Sequence, residues 1–239
     1  MEEVVDGILV AAGDLKRPLS EIRQLALTLD GLEGENAVLR DEMVGVSERA
    51  MRQVNDLLKL RHLNDGDYEM EPVAVRPVCD EVVNELQHLF WCNRRDLVLK
   101  YADRLRPVMA NRELLMSVVY NFLLNAMQLT GERTRSELTV RKVRERVRVI
   151  VRDFGPALPM DVWREMKRGW ISKPESIAMR PGSSGLGLYI ASKFSRYMHA
   201  NVGAVRHRDG TSFFVELAVS RQMTFWDYCG GENDFGDYK

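Results

Sequence analysis

The chain has 239 residues, of which 45% are hydrophobic and 29% charged, values typical of a globular protein that buries a core. Its net charge of −1 disfavours a nucleic-acid-binding protein, for which a basic excess is expected. The sequence shows no apolar run long enough to span a membrane and no signal peptide, and its three cysteines lack metal-ligand spacing. We therefore expect a cytoplasmic protein with reduced thiols.

Residues 1–70 carry the pattern of an antiparallel helical hairpin. Apolar residues recur at spacings of three and four along two stretches, which the turn-forming segment 31–36 separates. The first stripe comprises Val5, Ile8, Ala12, Leu15, Leu19, Ile22, Ala26 and Leu29, and the second Leu39, Met43, Val46, Ala50, Leu57 and Leu60. Stripes this narrow cannot be buried within one hairpin, so they predict a dimeric four-helix bundle. A monomeric hairpin packed on the rest of the chain is the alternative.

Residues 71–222 form a second predicted domain, in which short β-rich runs alternate with helical ones. Strands are predicted near Val73–Val75, Leu97–Tyr101, Leu138–Val143, Val147–Asp153, Val202–His207 and Ser212–Ala218, and helices near Pro77–Cys92, Arg112–Leu129, Met160–Arg168 and Gly185–His199. Mostly antiparallel strands with helices on one face predict an α+β sandwich. Residues 223–239 are predicted to form a flexible tail.

Asn121 and Asn125 lie one turn apart on the predicted helix 112–129, so both amides project from the same face. Two amide oxygens at this spacing can hold a hydrated Mg²⁺, which prefers oxygen ligands and usually binds together with substrate phosphates. Solvated asparagines on a helix surface are the simpler alternative.

Two further segments are suited to a nucleotide. A buried strand ends at Asp153, whose carboxylate can accept a hydrogen bond from a purine amino group, and Gly155 permits close approach of the base to the backbone. The glycine-rich run 182–188 leads into a helix, and N–H groups at such a junction bind phosphate. An ordinary turn and a plain connecting loop are the respective alternatives.

Taken in order, these three motifs resemble the ATP-binding domain of sensor histidine kinases, within the gyrase, Hsp90, histidine kinase and MutL (GHKL) class of ATPases with the Bergerat fold. Residues 121–126 match the N box, in which the second asparagine, here Asn125, ligates Mg²⁺. Asp153-Phe154-Gly155 matches the first glycine box, whose aspartate contacts adenine. Gly185, Leu186 and Gly187 fall in the second glycine box, which meets the triphosphate. The resemblance covers about residues 72–220 and implies ATP and Mg²⁺ as ligands.

The resemblance assigns three more segments. Gly210-Thr211-Ser212-Phe213 is similar to the closing hairpin of the family, and Arg168-Gly169-Trp170 stands where its aromatic box is expected. Residues 171–182 then correspond to the ATP lid, with Lys173 and Arg180 as its basic residues.

The helical hairpin resembles the dimerisation and phosphoacceptor module of the same family, with one important difference. Asp14 and the residues after it match the H box, in which a histidine accepts the γ-phosphate and the next acidic residue positions the ring. Gly13 occupies the histidine position, so no phosphohistidine can form there. Arg17 replaces the residue that orients water during dephosphorylation of a response regulator, and in the ATPase region Ala157 and Gln128 replace a glycine and a basic residue.

Three functions are compatible with this pattern. The first is a dimeric, Mg·ATP-binding protein of two-component signalling that phosphorylates the histidine of a partner kinase or regulates that partner or a response regulator. The second is a non-catalytic interaction module, a pseudokinase. The third is a GHKL-type kinase acting on serine or threonine. No sensor domain is predicted ahead of the hairpin, so we expect the input to come from a partner.

Overall fold

The computed structural model describes residues 2–29, 34–63, 65–160, 163, 164, 166 and 185–221. It begins with two long helices that pack against each other, α1 (Glu2–Leu27) and α2 (Glu35–His62). Part of their apolar surface is not covered by the described part of the chain, since the exposed fraction is 56% for Leu39, 47% for Met43 and 50% for Val46. Farther along α2, Val54 and Asp56 are buried because this end of the helix packs on the region that follows.

That region contains three helices and seven strands among the described residues. In chain order they are β1 (Glu71–Val73), α3 (Val75–Cys92), β2 (Asp96–Tyr101), β3 (Val108–Ala110), α4 (Arg112–Leu129), β4 (Arg135–Val143), β5 (Arg146–Asp153), α5 (Leu186–Tyr197), β6 (Asn201–His207) and β7 (Gly210–Ala218). The predicted fold class, a helical region followed by a mixed α+β region, is confirmed.

Strands β2, β4, β5, β7 and β6 form one sheet in that order, while β1 and β3 form a separate antiparallel pair. Three of the four contacts in the large sheet are antiparallel, as expected, and the β2–β4 contact is parallel. Burial alternates strictly along β5, so one face of the sheet meets the helices and the other stays partly open. The core between sheet and helices contains Phe90, Phe122, Phe194 and Phe213, all at most 1% exposed.

Several element boundaries differ from those predicted. Strand β1 begins at Glu71, two residues before the predicted start, and β3 was not predicted because three residues carry too short a pattern. The predicted helix near Met160–Arg168 and the predicted tail fall wholly or mostly outside the described residues. None of the described helices combines the length and the apolar character that crossing a bilayer requires.

Candidate functional site

Helix α4 carries the two asparagines of the predicted N box through the centre of the fold. Asn111 caps the helix by accepting a hydrogen bond from the Leu114 N–H at 3.1 Å. Nearly every residue from Leu114 to Met127 is buried, and the exposed fractions of Asn121 and Asn125 are only 4% and 8%. The interpretation of these residues as solvated surface asparagines is therefore wrong, and both amides face the protein interior.

Asn121 lies between α2 and α5. Its Nδ2 donates hydrogen bonds to the carbonyl oxygen of Ser117 at 2.8 Å and to Oδ2 of Asp56 at 3.2 Å. On its other side, a methyl group placed on Gly187 would lie 2.6 Å from Oδ1 of Asn121. The amide oxygen of Asn121 thus directly faces the second glycine box. Only a glycine at position 187 allows the two to lie so close together.

Asn125 lies one turn farther along α4. Its Nδ2 is buried and has no hydrogen-bond partner within the described part of the chain. Since an unsatisfied buried amide is destabilising, this group is suited to contact a ligand. An amide also offers an oxygen of the kind that Mg²⁺ prefers, so the donor set fits the predicted metal.

Asp153 ends β5 and is fully buried. Its Oδ1 accepts hydrogen bonds from the main-chain N–H of Gly155 at 3.2 Å and of Thr211 at 3.1 Å. Thr211 is also fully buried, and within the described residues its hydroxyl has no hydrogen-bond partner. The first glycine box and the closing hairpin therefore meet at one carboxylate, beside a buried hydroxyl that a ligand can satisfy.

The structure requires a glycine at position 155 for a reason that the sequence did not indicate. A side chain there would clash with the main-chain carbonyl of Leu129 at the end of α4. The glycine thus brings the turn after β5 against α4, in addition to any close approach of a base. As a result, α4 contacts the second glycine box near its middle and the first glycine box at its end.

The second glycine box begins α5. Gly185 adopts a left-handed conformation with φ of 68°, which favours glycine, and Leu186 and Gly187 form the first turn. Lys173, Arg180 and the segment Arg168-Gly169-Trp170 lie outside the described residues. The backbone of Gly13 and Asp14 lies within α1, and the side chain of Asp14 is outside the described part.

The surroundings of the site shift the pKa values of two aspartates in opposite directions. Burial raises the pKa of the Asp56 carboxyl, although hydrogen bonds from Ser117 and Asn121 and the charges of Lys59 and Arg52 act against this shift. A hydrogen bond from Arg152 at 2.6 Å lowers the pKa of the exposed Asp209, in the turn next to Thr211. Asp56 and Ser117 were not singled out in the sequence, because neither departs from an ordinary helical pattern.

Comparison with known proteins relates this part of the chain to one family. Residues 110–221 match the family described as histidine kinase-, DNA gyrase B-, and HSP90-like ATPases. The adaptive-response sensory kinase SasA of Synechocystis is 24% identical over 234 residues, which cover 90% of this chain and 59% of SasA. The alginate biosynthesis sensor protein KinB of Pseudomonas aeruginosa is 25% identical, with 89% of this chain and 36% of KinB covered. The chain thus spans less than two thirds of the length of these relatives.

The crystal structure of full-length ShkA in complex with AMPPNP has the same fold, with a TM-score of 0.64 at 21% identity over 90% of this chain and 46% of ShkA. Residues 110–221 are therefore an ATPase domain of the GHKL class. The chain as a whole is similar to sensor histidine kinases, and a helical region precedes that domain, as the sequence predicted.

Proposed function

We propose that the chain binds Mg·ATP between the middle of α4, the turn after β5 and the start of α5. The observation that carries this proposal is the meeting of both glycine boxes with α4, through Gly187 beside Asn121 and Gly155 beside Leu129. The proposed ligands are Asp153 for adenine and Asn125 for Mg²⁺, with Asn121, Gly155, Gly185, Leu186, Gly187 and Thr211 completing the site and Lys173 and Arg180 acting from the lid.

The buried groups suit these roles. Two main-chain N–H donors hold the Asp153 carboxylate in one orientation, so it is preorganised to accept a hydrogen bond from the adenine amino group. The Asn125 amide is one helical turn from Asn121 and lacks a described partner for its nitrogen. Bound Mg²⁺ neutralises charge on the phosphates and polarises the γ-phosphoryl group for transfer.

The phosphoryl acceptor is the histidine of a partner kinase. In this chain Gly13 lies inside α1 at the histidine position of the H box, and a glycine offers no nucleophile. In a heterodimer formed through the hairpin, the γ-phosphoryl group passes to an imidazole nitrogen of the partner and ADP leaves. Asp14 then lacks the ring that it positions in the family. Because ATP is an intracellular metabolite, we assign this reaction to the cytoplasm.

The hairpin is the proposed dimerisation domain, residues 1–70, and residues 71–222 are the proposed catalytic domain. Apolar side chains exposed along α1 and α2 support an association of two hairpins, as homodimer or heterodimer, because burying them removes apolar surface from water. These residues are Leu15, Ile22, Leu25, Val38, Leu39, Met43 and Val46.

A second candidate is a regulator that binds nucleotide without transferring phosphate. Gly13 and Arg17 favour it, because they remove the acceptor and the residue associated with dephosphorylation. Such a protein changes the shape or the partner contacts of a kinase or response regulator when nucleotide binds.

Incubation with γ-labelled ATP separates these functions. Calorimetry first tests Mg·ATP binding by the native chain, and absence of binding contradicts the whole proposal. We then expect no label on the native chain, acid-labile label on the Gly13→His variant, and acid-labile label on a partner histidine kinase whose own ATPase site has been inactivated.

Two controls sharpen the assay. Gly13→Ala raises helix propensity by about 1 kcal/mol without adding an imidazole, so it must remain unlabelled. Adding Asp153→Asn to Gly13→His must remove the label. Nucleotide binding with no transfer to any partner supports the regulator, whereas acid-stable label points to a serine or threonine kinase.

A further inference from the structure

Asp56 is a buried carboxylate at the contact between the helical hairpin and the ATPase domain. It lies on α2 and is only 2% exposed. The Ser117 hydroxyl donates a hydrogen bond to its Oδ1 at 2.8 Å, and Asn121 Nδ2 donates to its Oδ2 at 3.2 Å. Both donors belong to α4, so one side chain of the hairpin contacts the helix that carries the N box.

This contact fixes which way the Asn121 amide points. A carboxylate is an acceptor only, so the NH₂ group of Asn121 must face Asp56 on α2. The main-chain carbonyl of Ser117, one turn earlier on α4, accepts from the same NH₂ group. The amide oxygen is thereby directed at Gly187, at the start of α5. Without the carboxylate, one of the two acceptors that hold this orientation is lost.

A contribution to stability does not explain why the Asp56 carboxylate is buried. Burial raises the pKa of its carboxyl, which means that desolvation of the ionised form outweighs the favourable contacts. Buried charges contribute little to stability unless they are well compensated, whereas they fix the geometry of their partners effectively. The burial of a charge at this position is therefore consistent with a role in orientation.

Polar contacts lie on both sides of Asp56 along α2. Arg52 pairs with Glu85 and lies 3.8 Å from the centre of the Tyr120 ring, and Lys59 pairs with Glu113 at 3.3 Å. A groove of about 740 Å³ lies beside them, between the hairpin and α3, and Asp56 lines it. This end of the hairpin thus combines polar contacts beside a groove with the apolar packing of Leu60 on the core of the ATPase domain.

We propose that Asp56 is a positioning residue of the nucleotide site, which orients Asn121 against Gly187 and so makes the affinity for Mg·ATP depend on how the hairpin is docked. This inference rests on the proposed function, since it assumes that Asn121 belongs to an ATP site. A signal that shifts α2 relative to α4 changes nucleotide affinity through this one side chain.

Three variants at this interface test the proposal. Asp56→Leu removes both acceptor oxygens and keeps the same branching at Cγ, and we expect the Kd for Mg·ATP to rise about tenfold, the ratio produced by loss of a hydrogen bond to a charged group. Asp56→Asn retains both contacts, because its amide oxygen can accept from Asn121 and its NH₂ can donate to the Ser117 hydroxyl. Its Kd should stay within about twofold of the native value, a limit set by a neutral hydrogen bond. Glu113→Gln breaks the Lys59 pair at the same interface without touching Asn121, and its Kd should not change.

A double variant shows whether Asp56 acts through Asn121. In Asn121→Ala, the substitution Asp56→Leu should have no further effect on Kd. Equal Kd values for the native chain and Asp56→Leu, or an undiminished Asp56→Leu effect in Asn121→Ala, overturn the inference. If Asp56→Leu does not fold, Asp56→Ala replaces it. Failure of the native chain to bind Mg·ATP contradicts the proposed function instead, and the same variants then test the contact alone through urea unfolding.

Discussion

The main-chain N–H of Thr211 donates a hydrogen bond to Oδ1 of Asp153 across 3.1 Å, and this bond joins the closing hairpin to the carboxylate proposed to bind adenine. The two residues are 58 positions apart in the sequence. The strand order explains the proximity, because β5 and β7 are antiparallel neighbours, so the end of β5 lies beside the start of β7. The proposed adenine site therefore depends on the register of these two strands.

Asp153→Asn should weaken Mg·ATP binding and leave the fold intact. The amide oxygen can still accept from Gly155 and Thr211, but the new NH₂ group cannot accept a hydrogen bond from the adenine amino group. We expect the Kd from calorimetry to rise at least about tenfold, with little change in the urea midpoint. Asp209→Asn is the matched control, since Asp209 is exposed beside the same hairpin, and an equal loss in the control would contradict the assignment.

Gly210→Ala should destabilise the protein whether or not nucleotide binds. Gly210 has φ of 129°, a region essentially restricted to glycine, and an added methyl group would also lie 2.8 Å from Oδ1 of Asp153. We expect a loss of about 3 kcal/mol in the free energy of unfolding, measured by urea denaturation. Gly131→Ala serves as the control, because its methyl group meets nothing within 4 Å. Similar midpoints for the two variants would contradict the described geometry.

Much of the ATPase domain could be predicted from local patterns. The predicted helix Arg112–Leu129 has the observed bounds, and β5 and β7 were found within two residues of their ends, because strong periodicity specifies such elements. Strand β3 and the parallel contact of β2 with β4 were missed. Strand β3 has only three residues, too few to show a periodic pattern. The parallel direction of β2 and β4 depends on how the chain crosses between them through α4, which a local pattern does not reveal.

A charge on the exposed face of the hairpin should separate the proposed dimer. Met43 is 47% exposed on α2 within the proposed association surface, so Met43→Glu places a charge where apolar groups would be buried. We expect a fall from dimer to monomer mass in light scattering coupled to size exclusion. Val205→Glu introduces the same charge at a 42% exposed residue of β6 and should leave the mass unchanged. A dimer that persists in Met43→Glu would exclude this face as the interface.

The carboxyl of Asp56 should make stability fall as the pH rises through a limited window. Its pKa is raised in the folded protein, so the native state holds the proton more tightly than the unfolded state, in which the pKa is near 3.8. Stability is therefore greatest below that value and decreases until the pH passes the folded pKa. The charged or titratable groups that interact with Asp56 are Arg52, Lys59, Tyr68 and Tyr120.

Asp56→Asn removes this titration. Urea unfolding between about pH 4 and pH 8 should show the variant gaining stability relative to the native chain as the pH rises, followed by a constant difference. Asp41→Asn, at an exposed position of the same helix, accounts for background effects of the substitution. Parallel curves for the native chain and Asp56→Asn would contradict the burial of this carboxyl.

The role of Asp56 could not have been predicted from the sequence. An aspartate within a helix is ordinarily solvated, and Asp56 is buried only because α2 packs against α4. The two residues of α4 that contact it, Ser117 and Asn121, are 61 and 65 positions away in the sequence. The burial of Asn121 and Asn125 was missed for the same reason. The motif located both residues, but a local pattern does not reveal what covers a helix.

The strand order of the large sheet has a consequence for how the chain folds. Among the neighbouring strands that the structure describes in this sheet, only β4–β5 and β6–β7 are joined by short turns. Strand β2 must reach β4 across α4, and β5 must reach β7 across the segment that contains α5. Local hairpins form readily, and long-range pairings form slowly because the intervening loop must first close. Every proposed nucleotide contact lies in or beside these long-range connections. A ligand of this site would therefore bind only after the sheet has assembled, and its binding would report that assembly is complete.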